Sequence, residues 1–293
     1  MLEHLQNQPK APARAVVMGS HGFVGGAVAH HLRSQGIDTL GLSRAEIDLL
    51  QPDAGERLAA TLRPDDTFIF VSALAPCRDL DLLMRNLGMV RAVCTALDKR
   101  PVAHVINISS DAVYATAIET VDERTPTAPT DLHGMMHAAR ELMLQTAVKA
   151  PLAILRPTLL YGAADPHNGY GPNRFRRLAA EGKEITLFGN GEEQRDHVLI
   201  DDVAAIVGNC ILHRSKGVLN IATGRSVSFR QVAEMVIAGQ RSPSRIAPTP
   251  RRNPVVHRHF DTIDRVKAFP RFAFTPLEQG LARAHAETGA SRG

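Results

Sequence analysis

Residues 14–34 read RAVVMGSHGFVGGAVAHHLRS: a short apolar run, a glycine-rich turn and a segment with helical periodicity. Gly19, Gly22 and Gly25 have GxxGxxG spacing, and Phe23 and Val24 lie between the last two of them. Glycines in such a turn let backbone amides approach a pyrophosphate, which then lies at the positive end of the following helix. A glycine-rich turn is a weak signal alone, but at the opening of the first β-α-β unit it predicts a dinucleotide site.

The rest of the first half repeats this alternation of strand and helix. The apolar runs DTLGLS, TFIFVSA, HVINIS and LAILRP are separated by longer segments of helical periodicity, and after Tyr161 the chain becomes rich in Gly, Pro and Asn. We therefore predict an α/β fold, a doubly wound parallel Rossmann sheet with a smaller mixed C-terminal substrate lobe. The predicted boundaries are 13–162 plus part of 190–225 for the Rossmann domain, 163–189 and 226–286 for the lobe, and 1–12 and 287–293 for disordered ends.

Composition excludes several classes of function. The chain has 293 residues, 44% of them hydrophobic, and a formal net charge of +4, but its basic residues form no stripe of the kind that binds nucleic acid. No apolar run approaches the roughly 20 residues of a membrane helix, and the start MLEHLQNQPKAPARA lacks a secretion signal, so we expect a cytoplasmic protein without membrane contact. Cys77, Cys94 and Cys210 lack metal-ligand spacing and are expected to be inert thiols.

The end of the second strand bears on the choice of cofactor. An enzyme that uses NAD places an acidic residue there, because a carboxylate accepts hydrogen bonds from the ribose hydroxyls. Here the strand ends with Ser43 and Arg44, and a hydroxyl beside a guanidinium suits the 2′-phosphate of NADP. We expect NADP, with NAD as the alternative if Arg44 is an ordinary surface residue.

A series of motifs in fixed order supports this interpretation: GSHGFVG, VSALAP, Asn86 in a long helix, INISSDAVYA, ILRPTLLYG, LFGNGEEQRDHVLIDDVA and VLNIATGRSVSFRQVAE. Over residues 14–286 the chain resembles the extended short-chain dehydrogenase/reductase family of nucleotide-sugar epimerases, dehydratases and reductases. The stretch LSRAEIDLL looks most like GDP-fucose synthase, an NADPH enzyme. The resemblance implies further cofactor contacts from Ser72, Ala73, Leu74 and Asn86.

The same resemblance implies a catalytic serine. In the family, a Ser or Thr four residues before the Tyr of a V-Y pair hydrogen-bonds the reacting sugar oxygen; here this is Ser110, counted back from Tyr114. A serine that only caps the following turn is the alternative. Asp111 is expected to contact the substrate. Ala112 stands where relatives carry the glutamate of dehydration or the cysteine of epimerisation, which argues against both reactions.

The family's Tyr-x-x-x-Lys pair is replaced in residues 131–141, DLHGMMHAARE, by His133 and His137. Residues four apart share a helix face, so both imidazoles can face the cofactor and substrate. The helix N-terminus and mutual repulsion should leave the pair with at most one proton near neutrality. We predict His133 as the proton donor, with His137 as its partner and ribose contact. The alternatives are a zinc site with Glu141, participation of Tyr170 with Arg174, and loss of catalysis.

Further expectations concern the substrate and the assembly. Asn173 and Arg195 lie where the family grips the substrate diphosphate, and Arg252 is a further candidate. Asn173 also occupies the place of the proton-donating histidine of GDP-fucose synthase. The two Met-rich helices that flank the site are expected to support a homodimer. The predicted function is NADP-dependent reduction of a nucleotide-diphosphate keto sugar; a 4-epimerase that retains NAD and a non-catalytic binding subunit are the alternatives.

Overall fold

The structure is a computed structural model that describes residues 1–251 and 253–290. Strands and helices alternate through the first half, as the sequence predicts. The strands are β1 (Glu3–His4), β2 (Arg14–Met18), β3 (Thr39–Leu42), β4 (Asp66–Phe70), β5 (His104–Ile108), β6 (Thr120–Val121), β7 (Leu152–Pro157), β8 (Leu159–Tyr161), β9 (Ile185–Phe188), β10 (Gln194–Leu199), β11 (Ser215–Ile221), β12 (Ser226–Ser228), β13 (Ile246–Thr249) and β14 (His259–Phe260). The helices are α1 (Phe23–Ser34), α2 (Ala54–Thr61), α3 (Leu80–Lys99), α4 (Leu132–Ala147), α5 (Pro172–Ala180), α6 (Ile200–Leu212), α7 (Phe229–Gln240), α8 (Ile263–Ala268) and α9 (Leu277–Ala290), with a 3₁₀ turn at Asp111–Val113.

Seven strands form the large sheet in the order β1-β11-β7-β5-β4-β2-β3. All its pairings are parallel except that of β1 with β11. The first strand of the alternating series, β2, lies between β3 and β4, so the chain proceeds to opposite sides from this point. In open α/β sheets a ligand binds outside the carboxyl ends of the strands at such a switch point. This confirms the predicted fold class and directs attention to the ends of β2 and β4.

Strand β2 shows why the sheet is covered on both faces, because all five of its residues are buried. Ala15 and Val17 pack with apolar residues of α1 and α6, whereas Val16 and Met18 pack with those of α2, α3 and α4. Successive strand side chains point to opposite faces, which explains a continuous apolar run where a half-exposed strand would alternate.

A second group of elements carries its own core. Strands β8, β10 and β12 form a three-stranded sheet, β9 pairs with β13, and apolar residues of α5, α7 and α9 pack against them. The domain boundaries drawn from the sequence stay a prediction.

The chain ends differ from the expectation of disorder. Glu3 pairs with Lys216, and the His4 ring contacts the Ser215 hydroxyl at 2.7 Å and the Ala268 carbonyl oxygen at 2.9 Å, so the first residues extend the sheet edge. Residues 287–290 continue α9, and 291–293 lie outside the described residues. Within the described ranges no helix is long and apolar enough to span a bilayer, and all three cysteines are free thiols.

Candidate active site

The glycine-rich turn begins where β2 ends. Gly19 has a φ of +106°, and a Cβ atom there would lie 2.8 Å from the backbone nitrogen of Ser72. A Cβ on Gly25 would lie 2.0 Å from the Gly19 carbonyl oxygen. Helix α1 starts after Gly22 without a side-chain cap and without an acidic residue in its first turn. Its amino end is therefore bare, positive and closely approachable, which fits the diphosphate of a dinucleotide.

A cavity of about 690 Å³ opens at this turn and continues along the carboxyl ends of the central strands. It is large enough for a cofactor-sized ligand. Most of the residues predicted for the cofactor and catalysis line it, namely Gly19, Gly22, Phe23, Val24, Ser43, Arg44, Ser72, Ala73, Leu74, Ser110, Asp111, His133, His137 and Asn173.

The loop after β3 shows a feature that the sequence analysis missed. The Ser43 hydroxyl donates to a carboxylate oxygen of Glu46 at 2.6 Å, and the Ser43 amide donates to the same oxygen at 2.7 Å. These bonds lower the pKa of Glu46, so a negative charge lies on the turn that was expected to receive a 2′-phosphate. Arg44 pairs with Asp48 at 3.2 Å and is largely exposed. Since the Ser43 hydroxyl is bound to Glu46, the Arg44 guanidinium is the group of this pair that can still attract the 2′-phosphate of NADP.

The loop after β4 is held from behind by Asn86. The buried Asn86 carboxamide accepts from the Leu74 amide at 2.8 Å and donates to the Leu74 carbonyl oxygen at 3.1 Å. Asn86 was predicted to contact the cofactor, but the structure places it behind Leu74 and not among the residues that line the cavity. Its contribution is to fix the loop that does line the cavity.

Ser110 and Asp111 lie at the end of β5. The Ser110 hydroxyl accepts from the Ala112 amide at 3.1 Å, so the serine caps the 3₁₀ turn as well as facing the cavity. Burial raises the pKa of Asp111 to about 6, against the opposing effect of Arg258 and Arg195. Asp111 is therefore an acid that titrates just below neutrality beside the candidate catalytic serine.

A glycine lets the histidine helix approach this serine. Helix α4 begins after Asp131, whose carboxylate accepts from the Gly134 amide at 2.8 Å. A Cβ atom on Gly134 would lie 2.1 Å from the Ala112 carbonyl oxygen, a separation that real structures do not show. The helix is thus pressed onto the Ser110–Ala112 turn, and this contact brings His133 to the same cavity wall as Ser110.

His133 and His137 both line the cavity, with ring centroids 4.8 Å apart and planes at 86°. Burial lowers the pKa of His133, Asp131 opposes this effect, and His167 adds to it. The pKa of His137 lies well below 6.5 because of burial first, then the charges of Arg140 and His133. The low protonation expected from the sequence follows, but its main cause is desolvation and not the helix terminus.

A backbone contact indicates the tautomer of His133. The Cys77 amide donates to His133 Nδ1 in a weak bond of 3.5 Å. When Nδ1 of a neutral imidazole accepts, Nε2 carries the hydrogen. His133 then has a donor nitrogen that Cys77 does not use.

Beneath the histidines lies a buried charged network. Arg156 donates to both carboxylate oxygens of Glu141, at 2.9 and 2.6 Å, and its third contact is the Tyr114 hydroxyl at 2.9 Å. The Tyr114 hydroxyl in turn donates to Asn220 at 2.7 Å. Because the Glu141 carboxylate is held by Arg156, it is not available for the zinc set considered from the sequence. No group of metal-ligating residues is found in residues 1–251 and 253–290.

The residues expected to bind the substrate have structural partners. The Asn173 carboxamide accepts from the Gly162 amide at 3.1 Å while lining the cavity, and the Tyr170 hydroxyl accepts from the Phe188 amide at 3.1 Å. Arg195 donates to the Val256 carbonyl oxygen at 2.6 Å and pairs with Glu193, and it does not line the cavity. Arg252 lies outside the described residues.

Arg258 is a site residue that sequence reasoning missed. It is buried, donates to the Ala115 carbonyl oxygen at 2.9 Å, and lowers the pKa of Asp111. No motif marks it, because residue 258 meets the Ser110–Ala112 turn only when the C-terminal segment folds back across the site.

Comparison with known proteins agrees with this geometry. The sequence model of the "NAD dependent epimerase/dehydratase family" matches residues 15–222. Among solved structures, a Thermus thermophilus UDP-glucose 4-epimerase in complex with NAD is similar at 20% identity and a TM-score of 0.82, covering 95% of this chain and 99% of that one. A GDP-L-fucose synthetase from Naegleria fowleri bound to NADP is similar at 17% identity and a TM-score of 0.84, covering 99% and 97%. MoeE5 in complex with UDP-glucose and NAD is similar at 22% identity and a TM-score of 0.82, covering 96% and 100%.

These likenesses are to proteins of different activities, so at such identities they show the shared fold. The family match identifies the family, because it covers more than half of the chain and includes the glycine-rich turn, the Ser110 strand end and the histidine helix. The chain therefore belongs to the NAD dependent epimerase/dehydratase family and is an NAD(P)-dependent enzyme of the extended short-chain dehydrogenase/reductase type.

Proposed function

We propose that the protein reduces a keto group of a nucleotide-linked sugar with NADPH. One observation carries this proposal: Ser110, His133 and His137 line the same continuous cavity as the glycine-rich turn that fits a dinucleotide diphosphate. A hydroxyl and an ionisable group beside a nicotinamide pocket are what a carbonyl reduction requires of the protein.

The glycine turn, the 72–74 loop and Arg44 would hold NADPH, which when bound supplies the hydride for the carbonyl carbon. The Ser110 hydroxyl orients the carbonyl oxygen by hydrogen bonding. The imidazolium form of His133 delivers the proton that this oxygen needs, so that C=O becomes CH–OH and the ring returns to the neutral tautomer whose Nδ1 accepts from the Cys77 amide. His137, which stays uncharged, packs against His133 and contacts the ribose.

The proposed substrate class rests on the far end of the cavity and on the relatives. Tyr170 and Asn173 of the second group of elements line the cavity together with the Ser110 strand end, so a ligand can contact both regions. One of the similar structures contains UDP-glucose, a second is a UDP-glucose 4-epimerase, and a third is a GDP-L-fucose synthetase. We infer a nucleotide-diphosphate sugar, with Asp111 and Asn173 as substrate contacts. Arg195 and Arg252 remain candidates for its diphosphate.

A second candidate function is favoured by the Ser43–Glu46 contact. A carboxylate at the end of the second strand is typical of an NAD site, and Glu46 brings one into the turn after β3, where it is bonded to Ser43 and does not itself line the cavity. A 4-epimerase retains its oxidised cofactor through each turnover. Mass spectrometry of the purified protein separates the two, because co-purified NAD supports the epimerase and an empty site that consumes added NADPH supports the reductase.

The decisive experiment follows NADPH oxidation with UDP-, GDP- and dTDP-linked keto sugars. We expect turnover by the wild type, a loss of about 10²–10⁴-fold in His133→Phe, and a smaller loss in Ser110→Ala. His30→Phe, a surface imidazole on α1, is the matched control and should retain full activity. Binding of both ligands without turnover of any keto sugar would favour the non-catalytic alternative.

The homodimer and the cytoplasmic location expected from the sequence stay predictions. Of the methionines on the two helices expected to pair in the dimer, Met84 and Met135 are exposed, whereas Met89 and Met136 are buried in the core.

A further inference from the structure

Arg140 is a buried arginine beneath the candidate site. Its guanidinium is 1% exposed and makes three hydrogen bonds, to Asn107 Oδ1 at 2.6 Å, the Ser72 carbonyl oxygen at 2.8 Å and the Phe70 carbonyl oxygen at 2.6 Å. The guanidinium carbon also lies 3.6 Å from the centroid of the Phe70 ring. One side chain of α4 therefore reaches the carboxyl ends of the two central strands β4 and β5.

The partners of this cation are neutral. The adjacent carboxylate, Glu141, raises the pKa of Arg140 electrostatically, but its oxygens are bound by Arg156. Burial dominates and lowers the pKa of Arg140 to about 9, so the group is still charged at neutral pH. Burying a charge whose direct partners are neutral carries a desolvation cost, which the three hydrogen bonds of the guanidinium offset only in part. The arrangement therefore indicates a use for the charge.

Two features connect Arg140 to the site, its position on α4 relative to His137 and its hydrogen bond to Ser72. It lies three residues after His137 on α4, a spacing that places the two side chains on one side of the helix. It also fixes Ser72, the residue against which Gly19 packs and the first of the loop whose Leu74 is held by Asn86. Arg140 thus joins the histidine helix to the cofactor loop.

We propose that Arg140 is the positioning residue and fixed cation of this active site: it holds α4 against the cofactor loop and adds to the burial that keeps His137 uncharged, so that the exchangeable proton belongs to His133. The proposal rests on the proposed function only in naming His133 as the proton donor. The charged and titratable groups that act on His133 are Asp131 and His167, and those that act on His137 are Arg140 and His133. Asp111 lies on the same cavity wall.

The sharpest test compensates the positive charge of Arg140 with a neighbouring carboxylate and leaves the arginine in place. Asn107→Asp places a carboxylate 2.6 Å from Arg140 Nε and also removes the Asn107 Nδ2 group, which has no hydrogen-bond partner among the residues that the structure describes. Asn220→Asp is the matched control: its Nδ2 likewise has no partner, but its oxygen accepts from Tyr114. The readout is NMR titration of the His137 ring in the ligand-free protein, assigned with His137→Gln.

We expect the pKa of His137 to be higher in Asn107→Asp than in the wild type and in Asn220→Asp, while burial keeps it below 6.5 in all three proteins. Arg140→Lys keeps the charge and should leave the His137 titration low, whereas Arg140→Gln should raise it. This second pair makes the same comparison if Asn107→Asp does not fold. A merely structural role would lower the melting temperature in these variants without moving the titration, and that result overturns the proposal. A protein that shows the expected titration but reduces no keto sugar would overturn the reductase and support the role of Arg140.

Discussion

The contact between α4 and the Ser110–Ala112 turn makes Gly134→Ala the most informative substitution. The added Cβ would lie 2.1 Å from the Ala112 carbonyl oxygen and 2.9 Å from Pro129 Cβ. Since Cβ contacts under 3.0 Å essentially do not occur, the helix must move by at least about 0.9 Å, the difference between 3.0 and 2.1 Å. Overpacking of this kind costs ~1–3 kcal/mol of stability. A displacement of about 1 Å between His133 and Ser110 should reduce turnover by about 10²-fold.

The assays are urea unfolding, NADPH binding and keto-sugar turnover. NADPH affinity should fall much less than turnover, because the glycine turn belongs to α1 and α4 contributes only the ribose contact proposed for His137 and the support of the cofactor loop by Arg140. The control is Gly88→Ala on α3, where an added Cβ meets nothing within 4 Å; it should stabilise the protein by ~0.5–1 kcal/mol through helix propensity. If Gly134→Ala unfolds at the same urea concentration as the wild type and keeps its turnover, the close helix-to-turn contact does not exist and the placement of His133 beside Ser110 is wrong.

Three further predictions address the cofactor and the histidines. In Arg44→Ala, the dissociation constant for NADP should rise about tenfold while that for NAD is unchanged, measured by fluorescence titration; an equal loss for both would remove Arg44 from phosphate recognition. Because burial lowers the pKa of His133 below 6.5 and the reduction needs its proton, the decline of kcat/KM with rising pH should begin below pH 6.5 and continue through neutrality, and a flat profile would exclude the imidazole as donor. His197 is buried with no partner for either ring nitrogen and has a pKa of about 3, so its neutral form stabilises the fold fully above pH 6.5 and progressively less as pH falls toward 3. His197→Phe, which retains the ring that packs against Phe229, should therefore reduce the loss of stability between pH 7 and 5 in urea melts; an unchanged pH dependence would show that this imidazole is not buried as neutral.

Much of the cofactor site could be predicted from local sequence. The GxxGxxG spacing, the apolar run before it and the helix after it are neighbours in the chain, and all three Gly positions behave in the structure as the motif requires. Ser110 and Asp111 follow a buried strand directly, so their place at the carboxyl edge of the sheet follows once the strand is recognised.

The sequence analysis predicted that the histidine pair holds little positive charge near neutrality, which agrees with the lowered pKa of both residues, but it named only part of the cause. The sequence shows the helix start at Asp131 and the spacing of His133 and His137, which are both local. Desolvation is the larger effect, and it depends on what covers the rings in the folded protein. Arg140 adds to the effect on His137 and was not among the residues predicted from the sequence.

Other features depend on residues that are distant in sequence. Arg195 was expected to grip a diphosphate, but the segment that carries Val256 returns to it and takes up its guanidinium. Arg258 reaches Asp111 in the same way. No periodicity or motif in the sequence predicts such contacts. They form because the fold brings together segments that are far apart in the chain.

The sequence by itself determined the fold class and the place of the glycine-rich turn, and it puts His133 and His137 four residues apart, where they share one helix face. Each of these is encoded by residues within one strand or one helix turn, where spacing alone fixes which side chains share a face. Only the tertiary structure decided how close α4 lies to Ser110, which arginines are already engaged, and that a buried guanidinium stands below His137. Those properties depend on burial and on packing between distant segments, which local spacing does not specify.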